Sequence, residues 1–240
     1  MFVQEISSFL KQKSYPKFEL KAVFFDMDGV LFDSMPAHAK AWVNAFKAFG
    51  FNFTEYEAYL NEGRTGNGTI DGVFKTQLGR LATEEEKEAI YQTKSRLFEQ
   101  MNPASVMPYA PELLQKIKSQ GIHILLVTGS GQPSLLDKLE ASFPQIFERE
   151  RMVTAFDVKQ GKPTPEPYLM ALKKAKVNPW EAVVVENAPL GIASSVAAGI
   201  YTLAVNTGIL DDKVLLDEGA NAIFSDLKTL YQQWDHLFNA

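Results

Sequence analysis

Ala22-Val-Phe-Phe-Asp-Met-Asp-Gly-Val30 is the stretch on which the reading of the whole chain turns. Four apolar residues, aromatic and β-branched among them, run straight into two aspartates one residue apart and then a glycine. That composition suits a short strand buried on both faces, as in a parallel sheet. Asp26 and Asp28 then emerge at the carboxyl edge of the sheet, where open α/β folds bind ligands. Side chains two apart on an extended chain share a direction, so both carboxylates address one bound group. Paired carboxylates repel unless a cation or a shared proton relieves them, and a hard ion such as Mg2+ takes oxygen ligands. Taken alone, the same residues also read as a polar turn, and Asp28-Gly29 as the tip of a hairpin.

Working outward, apolar runs alternate with helical patterns. Strands are expected at Ala22–Phe25, Ile122–Val127, Met152–Thr154, Ala182–Val185, Thr202–Val205 and Ala222–Phe224. Pro111 opens a helix that Gly121 closes, Ser134 to Ser142 forms another, and Pro165 to Lys176 follows Thr164 as N-cap. This alternation predicts an α/β fold with a doubly wound parallel, Rossmann-like sheet. One segment breaks it. Residues 34–103 carry no strand pattern, only helical ones: Ala37–Phe49, Thr54–Leu60, Thr69–Leu78 and Thr83–Gln100, the last opening on a capping box, Thr83-Glu-Glu-Glu86. The expected division is a core of residues 1–33 and 104–240, with a helical extension over 1–19, and an inserted all-helical cap over 34–103. An insertion beside the ligand edge is placed to act as a lid.

Composition narrows the function. The 240 residues suffice for one large α/β domain or a core with a small second domain, and the 46% hydrophobic content can fill an ordinary core. A net charge of −5 without a long basic run argues against nucleic acid as the main partner. Absence of cysteine removes disulfides, thiolate metal sites and a cysteine nucleophile together, and fits a reducing, cytoplasmic setting. The first fifteen residues place Phe2, Val3, Ile6, Phe9 and Leu10 at helical spacing with no basic leader, so an amphipathic helix packed on the body is expected, not a membrane-surface one. Ala182 to Val205 is apolar enough to raise a membrane span, but Glu186, Asn187, Pro189, Gly191 and Gly199 interrupt it; strand, loop, short helix, strand is the reading.

Three further pieces bear chemistry. Ile124-Leu-Leu-Val-Thr-Gly-Ser130 ends a buried strand in Thr128, a hydroxyl, and in Gly129 and Ser130, whose amides suit anion oxygens. Gly161-Lys162-Pro-Thr-Pro-Glu-Pro167 holds a lysine beside a proline-stiffened helix start, a fixed cation or simply a solvated one. Val183-Val-Val-Glu-Asn-Ala-Pro-Leu-Gly191 ends a third buried strand in Glu186 and Asn187; each completes a Mg2+ shell, anchors it from behind, or merely caps the next helix.

In this order, the four pieces resemble the motifs of the haloacid dehalogenase superfamily, over nearly the whole chain beyond residue 20. Asp26-Met-Asp28-Gly29 is similar to its first motif, Thr128 to the second, Lys162 to the third and Glu186-Asn187 to the fourth. The helical insertion resembles the cap of the β-phosphoglucomutase-like branch, near its phosphatase and inorganic pyrophosphatase members, and Asp33-Ser34, His38 and Trp42 stand where that branch has similar residues. The resemblance implies Asp26 as nucleophile forming an aspartyl-phosphate and Asp28 as acid and base. It implies Thr128, Lys162 and Mg2+ as holders of the phosphoryl oxygens, and Asp26, Asp28, Asn187 and Glu186 as the metal-facing residues.

Two departures matter. Asn187 stands where the family commonly has an acid, which removes a negative charge, loosens the metal and makes room for a further anion. The cap segment Asn61-Glu62-Gly63-Arg64-Thr65-Gly66 places Glu62 where mutases tend to have a cation, and Arg64 where a guanidinium can grip a distal phosphate or carboxylate. A solvated Glu–Arg pair is the plain alternative, and for His38, core packing at the hinge competes with a part in lid closure. The expected activity is Mg2+-dependent hydrolysis of a small phosphorylated metabolite or inorganic pyrophosphate by a monomer or weak homo-oligomer. β-Phosphoglucomutase is the alternative, and a non-catalytic phosphate binder a more distant one.

Overall fold

The computed structural model describes residues 2–101, 105–130 and 133–238. Met1, the side chains of Phe2 and Val3, and residues 102–104, where the helical insertion was expected to end, lie outside the described residues. The strands are β1 (Ala22–Phe25), β2 (Phe32–Asp33), β3 (Ser105–Val106), β4 (His123–Val127), β5 (Met152–Val153), β6 (Ala182–Glu186), β7 (Tyr201–Val205) and β8 (Ala222–Phe224). Six of them form a wholly parallel sheet in the order β5-β4-β1-β6-β7-β8. β1 lies where the order reverses, with β4 on one side and β6 on the other, and such a switch point opens a crevice at the carboxyl ends of the strands.

Alternation along the buried strands sends side chains to two faces. Val23, Phe25, Ile124, Leu126, Val183 and Val185 enter one apolar cluster. It is covered by α1 (Phe2–Lys13), α6 (Ala110–Ser119), α7 (Pro133–Ser142) and α11 (Leu227–Leu237). Phe24, Leu125, Val127 and Val184 enter the other, against Tyr168, Ala171 and Leu172 of α8 (Glu166–Ala175). On the first face Phe9 of α1 packs edge-on to Tyr201, so the amphipathic leader is core-packed, as its pattern indicates. The segment that raised a membrane span resolves into β6, α9 (Pro189–Ala197) and β7, and among the described residues no helix is long and apolar enough to cross a membrane.

Between β2 and β3 lie α2 (Met35–Ala48), α3 (Glu55–Leu60), α4 (Gly66–Leu78) and α5 (Glu84–Gln100). Thr54–Glu57 and Thr83–Glu86 close reciprocal capping boxes on α3 and α5. Phe46, Phe53, Ile70, Phe74 and Ile90 fill the interior of this unit, in one apolar cluster with Ile192, Ala204, Leu210 and Leu215 from the sheet side. β2 and β3 pair antiparallel, Phe32 with Val106, and tie together the two chains that enter and leave the insertion. Two-residue strands carry no period, which is why sequence shows none there. Asp28 bridges to Phe32, and Gly29 in the turn between them takes φ 78°, so the turn and the ligand-edge readings of Asp28-Gly29 are both realised. Thr164, expected to cap α8, donates instead to the Gln160 and Gly161 carbonyls, while Glu166 accepts from the Lys159 and Gln160 amides.

Candidate active site

β1, β4 and β6 end level, because Phe25 pairs with both Leu126 and Val185. The residues that follow therefore arrive side by side. The Asp26 amide donates to the Val185 carbonyl at 3.1 Å and the Thr128 amide to that of Val153 at 2.9 Å, so the sheet ladder itself sets both positions. Asp26, Asp28, His38, Glu62, Arg64, Thr128, Gly129 and Ser130 all line one cavity of about 120 Å³ at this edge. Thr128 Oγ1 accepts from the Ser130 amide at 3.1 Å, which leaves the hydroxyl proton to be given elsewhere.

Lys162 forms the floor. It is buried and spends its three donors on Asp26 Oδ1, on Glu186 Oε1 at 2.5 Å and on the Val127 carbonyl at 3.2 Å. Burial works against its charge, but Asp26 and Glu186 outweigh that and hold the ammonium above its ordinary range. It is a fixed cation, not a solvated loop lysine. Burial pushes the Asp26 carboxyl up to about 8, against the pull of Lys162 and with the help of Glu186.

Glu186, read from sequence as a metal ligand, a support behind the metal or a helix cap, is held by four donors. Oε1 takes Lys162 and the Tyr168 hydroxyl at 2.6 Å; Oε2 takes the amides of Asn187 at 3.1 Å and Ala188 at 3.4 Å. A carboxylate has about four lone-pair sites, and all are occupied. Glu186 anchors Lys162, the arrangement expected of a carboxylate that supports the metal-facing residues from behind.

Asp28 faces the base of the cap. Its Oδ1 accepts from Ser34 Oγ at 2.5 Å and lies 3.4 Å from His38 Nε2. Lys94 of α5 donates to His38 Nδ1 at 2.8 Å, which puts the imidazole proton on Nε2, toward Asp28. The His38 ring stacks on Phe98 with centroids 3.9 Å apart, and the Lys94 ammonium lies over the Trp42 and Phe98 rings. His38 is thus both packed and directed at Asp28. Burial alone would raise the Asp28 carboxyl; His38, Ser34 and Lys94 together hold it below its ordinary value. Burial also brings Lys94 down to about 8.

The loop between α3 and α4 closes the cavity from above. Asn187 Nδ2 donates to both oxygens of Glu62, at 3.0 and 3.1 Å, joining cap to core. Burial, then the nearby Asp26, pushes the Glu62 carboxyl well above its ordinary range, with Asn187 opposing. Beside it, a Cβ on Gly129 would lie 3.3 Å from the Gly63 carbonyl oxygen, so the two backbones meet as closely as glycine allows. Glu62 and Arg64 do not pair; Arg64 is exposed at the cavity's rim.

Among the described residues, no three His, Cys, Asp or Glu side chains converge to hold an ion by themselves. The donors that fit a hard cation are of mixed kind. Asn187 Oδ1 is buried without a hydrogen-bond partner, its orientation fixed by the grip of Nδ2 on Glu62. Asp26 engages Lys162 through Oδ1 alone. The Glu62 carboxylate lies against the same Asn187 amide. A donor set of oxygens only suits Mg2+. Lys94 and Tyr168 were absent from the sequence reading. Lys94 sits in a strongly polar helix and reads as solvated, and Tyr168 reads only as part of the apolar face of α8.

A parallel sheet presenting Asp26, Thr128, Lys162 and Asn187 at its carboxyl edge, beneath an inserted helical unit, defines a Rossmann-like α/β protein with its polar site at the ligand edge. The chain belongs to the haloacid dehalogenase-like hydrolase family, whose model matches residues 20–199. It is 30% identical over 206 residues to the phosphorylated carbohydrates phosphatase of Thermotoga maritima, covering 85% of this chain and 94% of that one. It is 32% identical over 191 residues to hexitol phosphatase A of Escherichia coli, covering 78% and 83%. Among solved structures, a Bacteroides vulgatus protein provisionally assigned as a β-phosphoglucomutase superposes with a TM-score of 0.95 at 54% identity, covering 99% of this chain and 96% of that one. Within that family the chain belongs to the β-phosphoglucomutase-like branch.

Proposed function

We propose that this protein is a Mg2+-dependent phosphohydrolase acting through an aspartyl-phosphate on a compact, highly charged substrate, inorganic pyrophosphate or a small phosphate ester. The Glu62–Asn187 contact carries the reading. It brings a cap carboxylate over the metal-facing amide, in the space a sugar ring would need. The cavity of about 120 Å³ beneath it is small, whereas pockets for drug-sized ligands span roughly 300–1,000 Å³.

In this reading the Asp26 carboxylate attacks phosphorus in line as the bond to the leaving oxygen breaks. Thr128 holds a phosphoryl oxygen with the Gly129 and Ser130 amides beside it, while Lys162 holds the nucleophile Asp26 and sets its positive charge next to the reacting group. Asp28 gives its proton to the leaving oxygen, then takes one from the water that cleaves the aspartyl-phosphate. Asp26, the Asp28 carbonyl and Asn187 would hold Mg2+, which would supply positive charge to the phosphoryl oxygens. Turnover is expected to require Mg2+, with Mn2+ a partial substitute and Ca2+ inhibitory, because larger Ca2+ relaxes the tight octahedral demand. Full activity in excess chelator contradicts this.

The sugar mutase is a second reading. Likeness to the Bacteroides vulgatus protein favours it, as does the run from Lys94 through His38 to Asp28, which couples the acid and base to cap helices. A substrate panel with Mg2+ separates the two. Glu62→Ala is expected to lower pyrophosphate turnover by about tenfold or more and to leave or improve that of bulkier esters. Arg64→Ala should harm every substrate with a distal anion. If the wild type converts β-glucose 1-phosphate to glucose 6-phosphate faster than it hydrolyses any panel member, the hydrolase reading fails.

A further inference from the structure

Glu186 is the most completely enclosed charge in the molecule. It is fully buried, as is Tyr168, and all four donors around it are fixed. A Cβ on Gly191 would lie 1.9 Å from Glu186 Oε1, so α9 carries a glycine where the carboxylate needs the space. Three of the four donors are explained by what they belong to: Lys162 is the site cation, and the Asn187 and Ala188 amides are the turn that follows β6. The Tyr168 hydroxyl is not. It belongs to α8, outside the cavity, and a phenylalanine would fill the same apolar volume.

We propose that Tyr168 is a positioning residue: its hydroxyl, by donating to Glu186 Oε1, sets where Glu186 holds Lys162 and hence how Lys162 is aimed at Asp26. Lys162 Nζ has three N–H bonds, and two of them, to Glu186 and to the Val127 carbonyl, fix the direction of the third. That third bond points to Asp26. Lys162 and Tyr168 share Oε1, so the two donors divide one oxygen's charge. Charge-assisted hydrogen bonds in a dry interior are strong and mutually dependent. Without the hydroxyl, Oε1 has Lys162 as its sole donor and draws the ammonium toward itself, away from Asp26. The ring also lies against the ammonium, 5.4 Å from Nζ to its centroid, so only the hydroxyl separates tyrosine from phenylalanine here. Burial, with Glu186 and Asp26 adding to it, holds the phenol well above its ordinary range, so it remains a donor. Positioning of this kind acts on the rate of the chemical step and little on ground-state binding.

This inference rests on the hydrolase reading, and its test separates the two. Tyr168→Phe and Tyr168→Leu are assayed with Mg2+ on pyrophosphate and p-nitrophenyl phosphate, in the wild-type and Glu186→Gln backgrounds, with melting temperatures alongside. Tyr168→Phe is expected to lower kcat about tenfold with KM within about twofold, and to lower it less than about twofold further once Glu186 is Gln. Tyr168→Leu, which also loses the ring, is expected to melt lower than Tyr168→Phe. Either of two results overturns the inference: kcat of Tyr168→Phe within twofold of wild type, or equal losses in both backgrounds, which would make the hydroxyl independent of Glu186. A rise in KM at unchanged kcat also overturns it. A wild type that turns over no phosphate compound overturns the hydrolase reading and this inference with it.

Discussion

Asp26→Asn is expected to reduce turnover by about 10⁴-fold or more, since losing a covalent nucleophile removes the reaction path and not merely one contact. The amide has nearly the shape of the carboxylate, and its oxygen can still accept from Lys162 where Asp26 Oδ1 does. It cannot attack phosphorus. Stability is expected to move the other way. In the folded protein the Asp26 carboxyl is pushed up to about 8, chiefly by burial, from an ordinary value of 3.8. A carboxyl raised in this sense binds protons more tightly folded than unfolded, so its contribution to stability falls as pH climbs from about 4 to about 8. Asn has no such dependence. In metal-free buffer the variant should therefore melt at or above the wild type, with the gap widening up to about pH 8. Saturating Mg2+ should reverse the ranking, because the wild type alone offers the ion a carboxylate at that position. Activity within tenfold of wild type sinks the nucleophile assignment, and a variant that melts lower in metal-free buffer at pH 8 contradicts the electrostatic account.

What sequence discloses about this molecule follows from how locally each feature is encoded. β1, β6 and β7 are buried along their whole length and β4 from Ile124 onward, so their mostly apolar runs stand out. The cap helices announce themselves through capping boxes at Thr54 and Thr83. α11 buries Leu227, Leu230, Trp234 and Leu237, whose helical spacing is plain in the sequence. β2 and β3 were beyond reach, since two residues each have no period and their pairing joins positions more than seventy residues apart in sequence. The site divides the same way. Asp26, Asp28, Thr128, Lys162 and Asn187 end strands or stand in marked loops, and sequence collects them. What Glu186 does with its oxygens, and that Lys94 and Tyr168 complete the arrangement, depends on which helix faces cross the seam, and only the assembled fold supplies that.

Asp28→Ala is the second large effect, and its signature lies in the leaving group. General acid and base catalysis contributes typically 10²–10⁴-fold, most of it where the departing oxygen is a poor leaving group. The variant should therefore lose about 10³-fold or more on alkyl phosphates and far less on p-nitrophenyl phosphate, whose phenolate departs without help. His38, Ser34 and Lys94 hold the Asp28 carboxyl below its ordinary value against the effect of burial, and so favour the ionised form. That is the form able to take a proton from water in the second half-reaction. An arriving phosphate dianion adds negative charge beside it, which raises a carboxyl and readies it to carry a proton to the leaving oxygen in the first. His38 links this exchange to the cap, because it faces Asp28 from α2 while Lys94 of α5 fixes its tautomer. Asp28→Asn serves as the comparison: it keeps the size of the side chain and a partner for Ser34 but cannot shuttle a proton, so it should show the same dependence on leaving group as alanine. An equal loss across leaving groups of different acidity would show that Asp28 only positions the turn and offers its carbonyl to the ion. Rescue of the asparagine variant on alkyl phosphates to near wild-type rates would point to the same conclusion.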